Sequence, residues 1–127
     1  MRAGADTGRV DDLDLGTIDL ATLAWLAGSA ANEVLLERLR AAGHPSVRIS
    51  HGYVMQRLVG DTPTVSELAG VLGVTQQAVS KYVSELEQLG YVERRPDPAD
   101  ERIRRVALTA RGTRLIADAR RLRTRLE

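Results

Sequence analysis

Cysteine is absent from the 127 residues. With it go a disulfide framework, a thiol sensor, a Cys-type zinc site and a cysteine nucleophile. Histidine occurs twice, so a histidine-rich metal cluster is not expected. A zinc pair of His44 and His51 would lack further ligands. No apolar run approaches the roughly 20 residues that a membrane helix needs. The N-terminal stretch MRAGADTGRVDD has no apolar core of the signal-peptide kind. Walker, dinucleotide-glycine, HExxH and GxSxG motifs are all missing, and acidic pairs such as Asp11/Asp12 read as solvated charge. An enzyme, a bound metal and a cofactor are therefore not expected. These absences point to a soluble cytoplasmic protein without membrane partners. What is present is globular composition, 43% hydrophobic and 28% charged, and a length that suits one compact domain.

Net charge is only +1, but the average hides a gradient. Residues 1–43 carry a net −3 and residues 44–90 a net −1, whereas residues 91–127 hold 11 basic and 6 acidic side chains, a net +5. Such asymmetry fits either a polyanion partner or a solvated, arginine-rich helix. Lysine is almost missing: Lys81 stands alone beside 17 arginines.

Residues 1–16 show little periodicity and read as a mobile arm. A long helix is expected from Thr17 to about Ala42, stopped by Gly43 and Pro45. Leu20, Leu23, Ala27, Ala30 and Val34 form a stripe with 3, 4, 3, 4 spacing, while Trp25, Leu26 and Leu36 lie off it. Apolar residues on more than one face suggest that this helix meets a second subunit. A second helix is expected from Ser50, as N-cap, to Val59, with Tyr53, Val54, Met55 and Leu58 inward. After the turn Gly60–Pro63, Thr64 or Ser66 caps a third helix with Leu68, Ala69, Val71 and Leu72 on its inner face. The spacing of Thr64 and Glu67 is that of a capping box. Gly73 closes it.

Thr75 is placed to cap a fourth helix that ends at Gly90. Val79, Val83, Leu86 and Leu89 face inward. Gln76, Gln77, Ser80, Lys81 and Ser84 share the outer face, which is polar, short-chained and poor in acids. Such a face suits hydrogen bonds to base edges and phosphates. Tyr91–Arg95 and Arg104–Leu108 read as paired strands joined by the turn-rich Pro96–Arg102. Thr109 caps a last helix with Leu115, Ala119, Leu122 and Leu126 as its stripe and Arg114, Arg120, Arg121, Arg123 and Arg125 outside it.

Residues 64–112 resemble the MarR family of winged helix-turn-helix regulators. The resemblance is carried by TVSELAGVLGVTQQAVSKYVSELEQLGYVERRPDPADER, by the wing pattern DP-x-D-x-R within it, and by the LT-x-x-G that follows. It implies a mainly α fold, a winged helix-turn-helix with a two-stranded β wing and terminal dimerisation helices at about 17–43 and 110–127. The DNA-binding lobe would span about 50–109. Two departures stand out. The chain ends at Glu127, which implies reduced or rearranged C-terminal dimerisation helices, and Glu101 stands where many members have a second wing arginine. Peroxide sensing through cysteine is excluded.

A helix-turn-helix lays its second helix in the major groove with the N-terminal residues toward base edges. The expected contacts are Thr75, Gln76, Gln77, Ser80 and Lys81, with Gln77 and Lys81 reading bases; Lys81 serves equally as a phosphate contact. Thr64 and Ser66 are candidates for phosphate at a helix start. Arg102 at the wing tip suits a narrow minor groove. The resemblance gives Asp100 the task of orienting the wing. Arg94 and Arg95 fall on opposite faces of the ribbon, one for phosphate and one for bracing; Arg104 is a further basic candidate. The resemblance also implies a homodimer on a palindromic operator, acting as a repressor that responds to a small, often aromatic effector. Trp25, His44, His51, Tyr53 and Met55 are the residues available to line an effector cleft. The competing reading is a winged helix that binds protein and never touches DNA.

Overall fold

The computed structural model describes residues 19–125. The expected arm 1–16, the helix start at Thr17 and the stripe residue Leu126 lie outside the described residues.

Helix α1 (Leu20–Ala41) starts at Asp19, whose carboxylate accepts the Thr22 N–H at 2.7 Å. It ends where Gly43 takes φ 100° and the His44 N–H returns to the Leu39 carbonyl at 2.8 Å. Only Leu35 and Leu39 of this helix are buried. The sequence stripe is not: Leu20 is 81% exposed, and Leu23 and Val34 are exposed as well. Within this chain α1 has only one packed edge, and the 3-4 stripe points away from it.

Helix α2 (Ile49–Gln56) is capped at Arg48, not at Ser50. The ring of His51, at the third helical position, reaches back as a capping-box residue does: its Nδ1 accepts the Arg48 N–H at 3.1 Å. The helix stops at Gln56 and a turn replaces its expected last residues up to Val59. Val54, Met55 and Leu58 are buried as expected, but Tyr53 is exposed. Three inward positions already fill the face that α2 turns to the core, so the aromatic ring has nowhere to go but out.

Helix α3 (Val65–Leu72) is capped by the Thr64 hydroxyl, which accepts the Glu67 N–H at 3.1 Å and itself donates to Glu67 Oε1 at 3.3 Å. Leu68 and Ala69 are buried; Val71, expected inward, is exposed. An eight-residue helix with one packed side cannot turn four near-consecutive residues inward. Helix α4 (Gln76–Gln88) is capped by Thr75, which accepts the Ala78 N–H at 3.1 Å, and it buries Val79, Val83 and Leu86.

The wing is an antiparallel pair, β1 (Val92–Pro96) and β2 (Arg104–Leu108), in the register Val92↔Leu108, Arg94↔Val106 and Pro96↔Arg104. Tyr91, expected to open the strand, precedes it as a buried anchor, 1% exposed. The Val106 N–H donates outward to the Pro63 carbonyl at 2.8 Å, so the α2–α3 turn is pinned to the outer edge of the wing. Helix α5 (Ala110–Thr124) is capped by Thr109 and buries Leu115 and Leu122. It approaches the wing through Gly112, where an added Cβ would lie 2.0 Å from the Tyr91 carbonyl oxygen. One core cluster includes Leu39, Met55, Leu68, Leu86, Tyr91, Val106 and Leu115, so all five helices and the wing share it. The fold is mainly helical with a two-stranded sheet. Among the described residues, no helix is long and apolar enough to cross a membrane.

Candidate nucleic-acid interface

The first two turns of α4 present Gln76, Gln77 and Lys81 to solvent, over the buried Val79 and Val83. This division follows from the 3.6-residue period: positions 77 and 81 stack on one face, four residues apart, while 79 and 83 stack behind them. Ser80 is half-buried and Ser84 exposed. The start of α4 is tied to the start of α3, since the Gln76 side-chain amide donates to Ser66 Oγ at 3.3 Å. Thr64 and Thr75 have their hydroxyls engaged in capping; Ser66 remains exposed at the surface. The two helix starts thus form one polar surface.

The arginines divide by what they touch. Arg94 is drawn back onto α4: it donates to Ser84 Oγ at 3.0 Å and to the Ser80 carbonyl at 3.5 Å, and its Nε lies 3.4 Å from Glu87. It braces the wing against the helix. Arg95, on the opposite face of the ribbon, pairs with Glu93 at 2.5 Å and stays exposed. Arg104 is exposed and makes no ion pair among the described residues. Arg102 is 90% exposed and held by two parallel bonds of 3.0 Å to the carboxylate of Asp100. Asp100 also accepts the Arg102 N–H at 3.1 Å. The guanidinium and then this N–H keep the Asp100 carboxyl below its usual range. Asp100 therefore fixes both the backbone and the side chain of Arg102, which leaves the guanidinium presented at the wing tip.

Sequence reasoning gives no role to Asp97 and Arg105, yet they hold the wing in place. Asp97 accepts the N–H groups of Ala99 at 2.7 Å and Asp100 at 3.1 Å. Its second oxygen takes the Arg105 Nε at 2.5 Å. Arg105 and then these backbone bonds hold the Asp97 carboxyl low. Arg105 continues to the Thr62 carbonyl at 3.1 Å and lies 3.6 Å from Glu67. The chain of contacts fastens the wing to the turn before α3. The Asp-Pro-x-Asp spacing is an Asx-turn signal that could have marked Asp97; nothing in the sequence marks Arg105 among its arginine neighbours.

The expected effector residues are only partly brought together. A cleft of about 430 Å³ between α1, α2 and α5 includes Tyr53 and Met55 in its lining. Trp25, His44 and His51 are not part of it, a correction to the sequence reading. Trp25 is 68% exposed, in the N-terminal part of α1, whereas the cleft begins along that helix only at Asn32. His51 is 1% exposed and fully engaged, with Nδ1 accepting from Arg48 and Nε2 2.9 Å from Glu85 of α4. Burial, and then the Arg48 charge, push its pKa down, so the neutral ring is favoured. His44 is also buried, between the Tyr91 hydroxyl at 2.7 Å and Asp118 at 2.9 Å. Both histidines are structural connectors. Among the described residues, no group of three or more His, Cys, Asp or Glu is placed to hold a metal ion.

Comparison with known proteins agrees with this architecture. A sequence profile described as MarR family matches residues 51–103. The transcriptional regulator HosA of Escherichia coli O111:H- is 33% identical over 69 residues, which cover 53% of this chain and 51% of HosA. The chain thus aligns with about half the length of that curated relative. Wild-type MarR of E. coli in its apo form superposes with a TM-score of 0.64 at 26% identity, covering 83% of this chain and 76% of that one. A point mutant of MepR from S. aureus, bound to an oligodeoxyribonucleotide, shares the fold with a TM-score of 0.68 at 19% identity, covering 86% of this chain and 79% of that one. The sequence match falls on the helix-turn-helix and wing, where residues 51–103 are similar to the MarR family.

Proposed function

We propose that this chain is a sequence-specific, DNA-binding transcriptional regulator, a ligand-responsive repressor that binds a palindromic operator as a homodimer. The observation that carries the reading is the exposed polar face of α4, Gln76, Gln77 and Lys81, set on a buried apolar back and flanked by a braced wing that presents Arg102. A helix of this kind fits the major groove, and an arginine at a wing tip fits the negative potential of a narrow minor groove. In this reading Gln77 and Lys81 read bases, while Thr64, Ser66, Thr75, Gln76 and Ser80 contact the edge of the site. Arg95 and Arg104 meet phosphate, and Arg94 braces. The exposed stripe Leu20, Leu23 and Val34 supports pairing of two copies through α1. The α1/α2/α5 cleft is the effector site.

The test is selection of bound duplexes from genomic DNA, then fluorescence anisotropy on the recovered sequence. Lys81→Ala combined with Arg102→Ala is expected to abolish specific binding while the dimer persists. Affinity should fall steeply with salt, because each neutralised phosphate releases counterions. Selection that recovers no sequence, or a double variant that binds like the parent chain, refutes the reading in favour of a protein-binding winged helix.

A further inference from the structure

Away from the polar face of α4, four side chains form one polar relay. The Tyr91 hydroxyl lies 2.7 Å from His44 Nδ1, and His44 Nε2 lies 2.9 Å from Asp118. Arg111 donates to the same hydroxyl at 3.1 Å and lays its guanidinium over the Tyr91 ring, 4.7 Å from the centroid. Tyr91 and His44 are both buried. Proton placement follows from what each group can do. A guanidinium only donates, so the hydroxyl oxygen accepts from Arg111. An ionised carboxylate only accepts, so Nε2 carries the hydrogen that goes to Asp118. The bond from His44, and less so the one from Arg121, keeps the Asp118 carboxyl below its usual range. In the neutral ring Nδ1 is then the acceptor for the hydroxyl hydrogen, and each of these hydrogens has a partner. The residues come from separate elements: His44 follows α1, Tyr91 precedes β1, and Arg111 and Asp118 lie on α5. Arg94 and Arg105 tie the wing to α4 and to the turn before α3, within the helix-turn-helix. The relay instead ties the root of the wing to α1 and α5.

We propose that the Tyr91 hydroxyl is a positioning group. Held by His44 and Arg111, it fixes the angle of the DNA-binding lobe against α1 and α5, and so the half-site spacing that a dimer accepts. This deepens the proposed function and rests on it for the DNA and the dimer, but not for the angle itself. Burial of the Tyr91 ring holds the root of the wing in the core, but apolar contact has no preferred direction. Hydrogen bonds do, and the relay supplies three of them at this one point. Because Arg94 and Arg105 fasten the wing to α4 and to the turn before α3, the lobe turns about this root as one body. The lever is long. From Tyr91 to Asp97, where the tip begins, the extended chain covers about 20 Å at ~3.3 Å per residue. A rotation of about 10° at the root therefore carries the tip about 3.5 Å, close to the rise of one base pair. Loss of the hydroxyl does not remove the wing. It lets each subunit reach a half-site that lies one base pair out of place.

Tyr91→Phe keeps the ring, its packing and the Arg111 contact over its face, and removes only the hydroxyl. Fluorescence anisotropy compares the operator recovered by selection with versions carrying one or two extra base pairs between the half-sites. The parent chain should lose about tenfold or more in affinity on insertion, as for a mismatched site. Tyr91→Phe should bind the original spacing about fivefold more weakly, the worth of one hydrogen bond, and lose less than about threefold on insertion. His44→Gln should do the same, and the double variant should be no worse than either single, as for groups in one network. Leu58→Ala, at a buried position outside the relay, should loosen the fold and keep the parent's ratio between spacings. A readout without DNA uses the absence of cysteine. Spin labels on Ala99→Cys in the wing and Glu37→Cys on α1, both exposed, report the distance between lobe and scaffold. Labelled chain is diluted into unlabelled chain, so that each distance lies within one subunit. The distribution should be narrow in the parent and broaden by about 3.5 Å, the travel of the tip, in Tyr91→Phe and His44→Gln. Equal losses on insertion in the parent and Tyr91→Phe, or a distribution that stays narrow in both variants, overturns the proposal. If selection recovers no DNA, the functional reading fails, and the distance distribution still decides whether the hydroxyl sets the angle.

Discussion

Gly112→Ala is the sharpest test of how the wing is seated. Alanine in place of glycine inside a helix ordinarily stabilises by about 0.5–1 kcal/mol, from lower chain entropy in the unfolded state and better helix propensity. At position 112 that gain meets a wall. The new Cβ would lie 2.0 Å from the Tyr91 carbonyl oxygen, 3.1 Å from its carbon and 3.2 Å from Leu108 Cδ2. The nearest obstacle is backbone and cannot rotate away, so α5 and the root of the wing must part by about 1.4 Å, the distance that brings a carbon and an oxygen back to ordinary contact. Two bonds stand in that gap: the Thr109 N–H donates to the same Tyr91 oxygen at 3.0 Å, and the Thr109 hydroxyl donates to the Gly90 carbonyl at 2.6 Å. Overpacking costs about 1–3 kcal/mol and a weakened hydrogen bond about 1 kcal/mol. The sum outweighs the propensity gain and leaves a net loss of about 2–3 kcal/mol. For a chain of this size that is a fall of about 7–11 °C in Tm. Gly70→Ala is the matched control. It lies in α3, and an added Cβ there meets nothing within 4 Å, so it should raise stability by about 0.5–1 kcal/mol. Thermal and urea unfolding of both variants measure the pair. Two variants that shift stability in the same direction would refute the close approach of α5 to the wing.

Acidification should act through His51. Its pKa is depressed in the folded state, by burial first and the Arg48 charge second, so the neutral-ring contribution to stability is full above the ordinary histidine range near pH ~6.5 and is lost as pH falls below it. His51→Gln should therefore be less stable than the parent chain at about pH 7.5 and show a flatter Tm profile between about pH 7.5 and 5.5; an unchanged slope assigns the acid sensitivity elsewhere. Leu23→Asp, on the exposed stripe of α1, should convert a dimer to a monomer in sedimentation velocity while leaving the helical circular dichroism intact. A dimer that survives places the subunit contact away from this stripe.

The sequence reveals most where a single local rule decides the outcome. Thr64, Thr75 and Thr109 are threonines before apolar-periodic segments, and each caps the helix expected of it. The inward set Val79, Val83 and Leu86 is a pure period, and it is buried. Local rules fail where a long-range contact takes over. Ser50 is the better cap by propensity, yet the helix starts after Arg48, whose N–H is taken by the ring of His51, held in place by Glu85 and burial. Tyr53 and Val71 look inward by composition, but the packed faces of their short helices have no room for them. Arg105 is one arginine among several in sequence; only the fold brings it against Asp97 and the Thr62 carbonyl.

The same consideration sorts the positive charge of the C-terminal third. Its arginines are alike in sequence but differ in what they have left to offer. Arg94 and Arg105 are committed to backbone carbonyls and carboxylates that seat the wing, so their removal should move the wing and not merely lower the charge. Arg102 has a partner on its own loop, and that partner is carboxylate only. An exposed pair of this kind contributes little to stability, so its value lies in geometry: under the proposed function, Asp100 would hold the guanidinium in one orientation before any duplex arrives, which would reduce the side-chain entropy to be lost on contact. The negative charge of Asp100 works against that arrangement, since it partly cancels the field of the arginine it orients. A wing built for general attraction to polyanions would omit the carboxylate. A wing built to place one guanidinium at one position keeps it, so under the proposed function the presence of Asp100 favours positional reading over bulk charge.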